Sequence, residues 1–132
     1  MKISILIILT ALLAACGSRT RTKQPGTAQE ARIEFADSLH DFGAFAADSG
    51  VRRHLFLFRN VGAVPAAVVD VRLSCHCLSA EYTRSVVQPG DTGHVTLLFD
   101  GRQSASGFFD KTARVRFNSP KVQVLRVRGI KR

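Results

Sequence analysis

The 132-residue chain is predicted to fold as an all-β, antiparallel sandwich, and three observations predict it. From about Arg32 onward, apolar residues recur with period two, the spacing of half-buried strands. Turn-forming residues interrupt that alternation at Asp48-Ser49-Gly50, Asn60-Val61-Gly62, Pro89-Gly90-Asp91, Asp100-Gly101 and Asn118-Ser119-Pro120. No window after Ile33 carries a helical period.

Each strand has its own signature. Ile33 and Phe35 flank Glu34 in the first alternating segment. In His54 to Phe58 every position after the histidine is apolar, which predicts a strand covered on both faces. Ala66 to Leu73 places Val69, Val71 and Leu73 on one face, with Asp70 and Arg72 on the other. Val95, Leu97 and Phe99 share a face, and Ala113 to Phe117 alternates without a break. Val122 to Arg128 changes phase between Val124 and Leu125, so a one-residue bulge is expected to return Arg126 and Arg128 to the outside. About seven short strands in roughly 100 residues describe a single immunoglobulin-like sandwich. The buried tryptophan of antibody domains is missing, since the chain has no Trp.

The first residues belong to a different segment. Met1-Lys2 is a positive start, Ile3 to Leu13 is apolar apart from Ser4 and Thr10, and Ala14-Ala15 are small. That is the layout of a secretory signal peptide, expected over residues 1–15. Its apolar run is far shorter than the ~20 residues that span a bilayer as a helix. Leu13 to Cys16, LAAC, resembles the bacterial lipobox. The resemblance implies cleavage before Cys16, a thioether-linked diacylglycerol on its sulfur, and an N-acyl chain such as palmitate. Residues 16–31 then form a lipidated N-terminus and disordered tether, and residues 32–132 the folded domain. A flexible coil of Gly17 to Ala31 reaches about 20 Å on average.

Export bounds the function. The chain carries 19 Lys+Arg against 10 Asp+Glu, a net +9, and cleavage before Cys16 removes Lys2 to leave +8. Outside the cytoplasm this charge points to anionic lipid or acidic glycan, or to solubility alone, and not to nucleic acid. The tether segment Arg19 to Lys23 has no acidic cluster of the sort associated with surface export, so a periplasm-facing, membrane-anchored position in the cell envelope is expected.

The order of landmarks adds a family resemblance. Asp41-Phe42-Gly43, Phe56 to Gly62, Pro65, Ser74 to Cys77, Pro89-Gly90, Phe99-Asp100, Lys111-Thr112, Asn118 and Gly129 together resemble the bacterial domain-of-unknown-function family 1573. The match covers about residues 33 to 130. It implies an immunoglobulin-like fold on an exported lipoprotein and supplies no reaction. His76 stands where the family has glycine between the cysteines, Leu78 follows them where threonine is usual, and Gly101 replaces a common proline.

Two constellations are candidates for chemistry. With Cys16 acylated, Cys75 and Cys77 are the free thiols of the mature chain. Residues i and i+2 of a straight strand lie about 6.6 Å apart, whereas a disulfide wants Cβ atoms at about 3.5 to 4.5 Å. Closure therefore needs a bend after Leu73. Closed, the pair is a structural disulfide or a reducible redox site; open, it is, with His76, a soft-metal site for Cu(I) or apolar filling. His40, His54, His76 and His94 show no ligand spacing with the thiols.

Arg114, Arg116, Arg126 and Arg128 form the second constellation. They are expected outward on the last two strands, with Lys111, Lys121, Lys131 and Arg132 at the ends, as an anion-binding face. Asp41-Phe42-Gly43 lacks the glycine-rich and catalytic loops of a kinase, so Phe42 is assigned to the core and Gly43 to a turn. No nucleophile has a placeable base. The sequence therefore reads as a non-enzymatic binding or scaffold module with an envelope protein, glycan or lipid as partner, and copper or thiol-redox handling as the rival.

Overall fold

Eight strands stack as two four-stranded sheets in the computed structural model, which describes residues 30–132. The strands are β1 (Ile33–Phe35), β2 (Leu39–Phe45), β3 (Val51–Asn60), β4 (Val68–Leu73), β5 (Leu78–Tyr82), β6 (Thr92–Asp100), β7 (Gly107–Phe117) and β8 (Val122–Lys131). The first sheet runs β1-β3-β6-β5 and the second β2-β8-β7-β4. The expected signal peptide, Cys16 and nearly all of the expected tether lie outside the described residues.

The count exceeds seven because the first strand is split between sheets. β1 pairs antiparallel with the end of β3, and the chain then crosses to lay β2 parallel to β8. The assembly is thus mixed, with one parallel pair. At Gly43 the backbone takes φ +66, and the β2–β8 register shifts between Asp41 and Ala44. Glycine adopts this left-handed conformation without a Cβ penalty. Phe42 packs against the core, as the sequence suggested.

Inward residues of both sheets build an aromatic core. Phe58 meets Phe117 edge-on at 5.0 Å and lies tilted at 55° to Phe35 at 5.4 Å. At the other end Phe99 and Phe109 stack at 4.0 Å, and Phe45 closes edge-on against both. Such pairs contribute about 0.5–1.5 kcal/mol each beyond their burial. Gly93 sits under the Phe58 ring, where any Cβ would collide with it.

Four local expectations are corrected. His54 to Phe58 is covered on one face only, because Phe56 and Phe58 are buried while Leu55 and Leu57 remain nearly half exposed. In β4 a register shift between Val68 and Asp70 turns Val69 to solvent and leaves Val68, Val71 and Leu73 on the core. β8 has no bulge: its register with β7 is unbroken from Gly107↔Lys131 to Arg116↔Val122. Leu125 and Val127 hold the inward phase, so Val122 and Val124 share the outer face with Arg126 and Arg128. Lys131 is buried, its Nζ donating to the carbonyls of Gly101 (2.7 Å) and Ser104, which removes it from the basic surface.

Asn60 is the buried polar keystone of the β3–β4 loop. Its Nδ2 donates to the carbonyls of Val64 (2.8 Å) and Val87 (3.0 Å), and its Oδ1 accepts from the Gly62 N–H at 3.0 Å. Asn60→Ala leaves the Val64 carbonyl and the Gly62 N–H without this partner, while the Val87 carbonyl keeps the Ala66 N–H, a loss of about 1–3 kcal/mol. Equilibrium urea unfolding should show that loss, and Asn60→Asp should cost at least as much by setting a carboxylate against two carbonyls.

Candidate functional site

Alternation within β4, β7 and β8 decides which cations face outward. Ala113, Val115 and Phe117 point into the core, so Arg114 and Arg116 point away from it. The four arginines do share the outer face of the second sheet, but not opposite one another. Arg114 lies across from Val124, and Arg116 across from Val122. On the other side Arg72 is opposite Arg114 and Asp70 is opposite Arg116.

Ion pairs divide this face into two halves. Arg126 Nη1 bonds Asp110 Oδ2 at 3.0 Å, and Arg128 Nε bonds Asp41 Oδ2 at 2.9 Å. Asp41 is held below the ordinary carboxylate range, first by the Gly43 N–H and then by Arg128. Asp70 is taken by Arg72 at 2.9 Å. Among the described residues, Arg114 and Arg116 have no carboxylate partner. Asp70, Arg72, Arg114, Arg116 and Val122 line a cleft of about 460 Å³. Three guanidinium groups there oppose one carboxylate. The unpaired charge of this face therefore lies on Arg114 and Arg116, beside the Arg72–Asp70 pair, and not on Arg126 and Arg128.

The chain joins the domain beside this cleft. Gln123 Nε2 donates to the Ile33 carbonyl at 3.3 Å, and Glu30 to Ile33 line a groove with Ser119, Pro120 and Lys121 of the β7–β8 turn. Arg116 and Val122 pair at that end of the ladder.

Cys75 and Cys77 lie in the bend that carries the chain from β4 in one sheet to β5 in the other, and they are joined by a disulfide. Their Cα atoms are 5.2 Å apart, closer than in a straight strand, as closure required. A disulfide offers no thiolate pair to Cu(I), and no group of three or more metal-ligating side chains occurs among the described residues. His76 is exposed between the two cysteines. A ring that closes over three residues removes little chain entropy, about 1.6 kcal/mol by the loop relation. Ser74 and Thr112 already fasten the bend, with Ser74 N–H to the Thr112 carbonyl at 3.0 Å and Thr112 N–H to Ser74 Oγ at 2.9 Å.

A third constellation was missed by the sequence reading. The His40 and His54 rings, on β2 and β3 of different sheets, stack at 3.7 Å and 8°. Phe42 and Phe56 close edge-on against them, and Asp37 Oδ2 lies 3.6 Å from His54 Nε2. Fourteen positions and a sheet crossing separate the two histidines, so no spacing signal announced them. His94 has a local role, its Nδ1 sharing a 3.0 Å hydrogen bond with Thr83 Oγ1.

These features define a class: an immunoglobulin-like β-sandwich whose first strand is divided between the sheets. The chain belongs to the family described as protein of unknown function (DUF1573), whose model matches residues 33–130. The landmark order from Asp41 to Gly129 pointed to this family. No curated protein matches the chain significantly. A protein of unknown function from Porphyromonas gingivalis W83 has a similar fold, with TM-score 0.68 and 20% identity over 78% of this chain and 48% of that one. The ASH/PapD-like domain of human CEP192 is similar with TM-score 0.59 and 9% identity, over 100% of this chain and 96% of that one. The VesB protease of Vibrio cholerae is similar with TM-score 0.56 and 14% identity, over 74% of this chain and 31% of that one. The present chain spans about half of the Porphyromonas protein, and these likenesses speak to fold alone.

The histidine pair sets a pH dependence. The His40 pKa is lowered, first by burial and then by the neighbouring His54, against the opposing pull of Asp37 and Asp41. A histidine that resists protonation when folded leaves the unfolded state with more protons, so stability is lost as pH falls from about 6.5 towards the lowered value. The Asp41 contribution disappears only at lower pH, below the ordinary carboxylate range. Urea midpoints should therefore fall between pH 7.5 and 5.5, and His40→Phe, which keeps an aromatic ring in the stack, should flatten that slope.

Proposed function

We propose that the protein is a cell-envelope lipoprotein, anchored through Cys16, whose sandwich is a binding module for an anionic lipid or glycan surface. The observation that carries the proposal is the cleft of Arg72, Arg114 and Arg116 beside Val122, with only Asp70 to balance three cations. Like charges on facing strands are mildly destabilising, and Arg72 opposite Arg114 is such a pair. An anion placed between them relieves the repulsion. Guanidinium groups suit phosphate and carboxylate oxygens because their donors form a planar fork. Val122 gives the same cleft an apolar wall.

The end of the domain where the chain joins it supports the same orientation. A tether from Cys16 delivers Ala31 and Ile33 next to the β7–β8 turn, where Lys121 and Arg116 stand. A lipid-held domain therefore approaches its membrane with this end foremost. Each buried methylene contributes about 0.8 kcal/mol, and two or three acyl chains hold the molecule stably. The rival copper reading has no comparable support, since its two sulfurs are bonded to each other.

The proposal makes two measurable commitments. Arg114→Gln with Arg116→Gln should weaken sedimentation with phosphatidylglycerol vesicles or an acidic polysaccharide by about 30-fold, at about 1 kcal/mol per basic side chain. It should also reduce the salt dependence, whereas Arg126→Gln with Arg128→Gln should do less. Equal losses from the two double variants would refute the divided face. Mass analysis of the mature chain should find Cys16 as its first residue, carrying two or three acyl chains. Cys16→Ser should move the protein from the membrane to the soluble fraction.

A further inference from the structure

We propose that the Cys75–Cys77 disulfide is a thiol-exchange site, attacked at Cys75 by a cysteinyl thiolate. The proposal stands apart from the lipid anchor and the arginine cleft, and it rests on the unequal surroundings of the two sulfurs. Cys77 is 4% exposed and belongs to the core cluster with Leu78 and Phe99. Cys75 is only partly buried, at the core's rim. The bend opens into a bowl of about 460 Å³, lined by the bend itself, by Lys111 and Phe108, and by the Gln103–Ser106 loop. Phe108 is 69% exposed at its edge, the most exposed of the large apolar side chains among the described residues. Both cysteines line the bowl, but Cys75 is the more exposed of the two, so an incoming thiolate attacks Cys75 Sγ and Cys77 is the leaving group.

The backbone is prepared for both redox states. Ser74 is fastened to Thr112 on β7, Leu78 N–H donates to the Cys75 carbonyl at 3.3 Å, and Asp100 N–H donates to the Cys77 carbonyl at 2.8 Å. These bonds hold the bend whether or not the sulfurs are joined. The ring spans three residues and staples no distant parts of the chain, so a purely structural role gives it little to do. A reduced Cys77 remains in place as a small apolar side chain. Lys111 adds a positive charge to the bowl, and cations favour the thiolate over the thiol.

The exchange balances without an outside oxidant. A substrate thiolate attacks Cys75 Sγ, a new sulfur–sulfur bond forms there, and the Cys75–Cys77 bond breaks. Its electron pair goes to Cys77 Sγ, which takes a proton from water in the bowl. A second substrate thiolate then attacks the substrate sulfur of the mixed disulfide, and Cys75 leaves as a thiolate that takes a second proton from water. The substrate leaves as a disulfide, oxidised by two electrons, and the domain is left with two thiols, reduced by two. In reverse, the Cys75 thiolate opens a substrate disulfide and Cys77 closes the ring.

The test uses the full chain in detergent with Cys16→Ser, which leaves Cys75 and Cys77 as its only cysteines. Reduced glutathione and a reduced single-cysteine peptide are supplied separately at pH 7.5 without denaturant, and free thiols are trapped by alkylation and weighed. The bond should open with either thiol while the β-sheet circular dichroism is unchanged. A tenfold faster reaction with the peptide assigns the site to polypeptide thiols, and the converse assigns it to small thiols; both support exchange. In Cys77→Ser, oxidised glutathione should form an adduct at Cys75 at least tenfold faster than at Cys77 in Cys75→Ser. Opening only at the rate of global unfolding overturns the proposal, as do equal rates at the two single thiols. If a serine variant fails to fold, the parent chain's opening rate decides alone.

Discussion

Phe58 meets Phe117 edge-on at 5.0 Å across the sandwich, and Phe99 stacks on Phe109 at 4.0 Å at its opposite end. Rings from facing strands thus bind the two sheets at both ends of their overlap. Because successive side chains alternate, anchoring these rings inward also fixes what points outward. Ala113, Val115 and Phe117 in the core oblige Arg114 and Arg116 to face solvent. Leu125 and Val127 do the same for Val124, Arg126 and Arg128. The charged cleft is therefore a by-product of core packing as much as of charge. Gly93 belongs to the same constraint, since the Phe58 ring occupies the space of its absent side chain.

Acidic residues then sort the arginines by function. Asp110 and Asp41 neutralise Arg126 and Arg128, at the half of the sheet shared by β2. At the other half Asp70 meets three cations and satisfies one of them. The chain joins the domain at that second half, so the charge imbalance and the N-terminal connection face the same way. The cysteine pair lies elsewhere, at the β4–β5 crossover, and the histidine pair joins β2 to β3. Both bring together residues from strands of different sheets, or from the bend between them. Three separate surfaces are thus available to one small core.

Strand positions were legible wherever one face was buried and the other polar. Val95, Leu97 and Phe99 alternated as expected, and the turn residues fell between strands or, for Asn60 and Asp100, at a strand's last position. Errors arose where an apolar side chain is left in water: Leu55, Leu57, Val122 and Val124 look like core residues by composition, and only the register shows that they are not. The split first strand was hard to read because the change of sheet takes place within residues 36–38, where Asp37 and Ser38 stand without the glycine or proline that marks the other turns. Of the candidate site, the outward set of arginines could be read from alternation, but their pairing could not. Asp41 lies 87 positions from Arg128, and Asp110 lies 16 from Arg126. The bend at Cys75 to Cys77 was legible only on condition that the two sulfurs are joined, and the fastening of Ser74 to Thr112 was not legible at all. Asn60 looked like an ordinary turn residue, although its amide holds three backbone groups in the interior.

Native-state amide hydrogen exchange tests most directly whether one aromatic core governs both sheets. If it does, the slowest amides of β3 and β6 in one sheet, and of β7 and β8 in the other, should exchange with a common free energy equal to that of global unfolding. Two distinct classes, with one sheet remaining protected after the other has opened, would contradict the account.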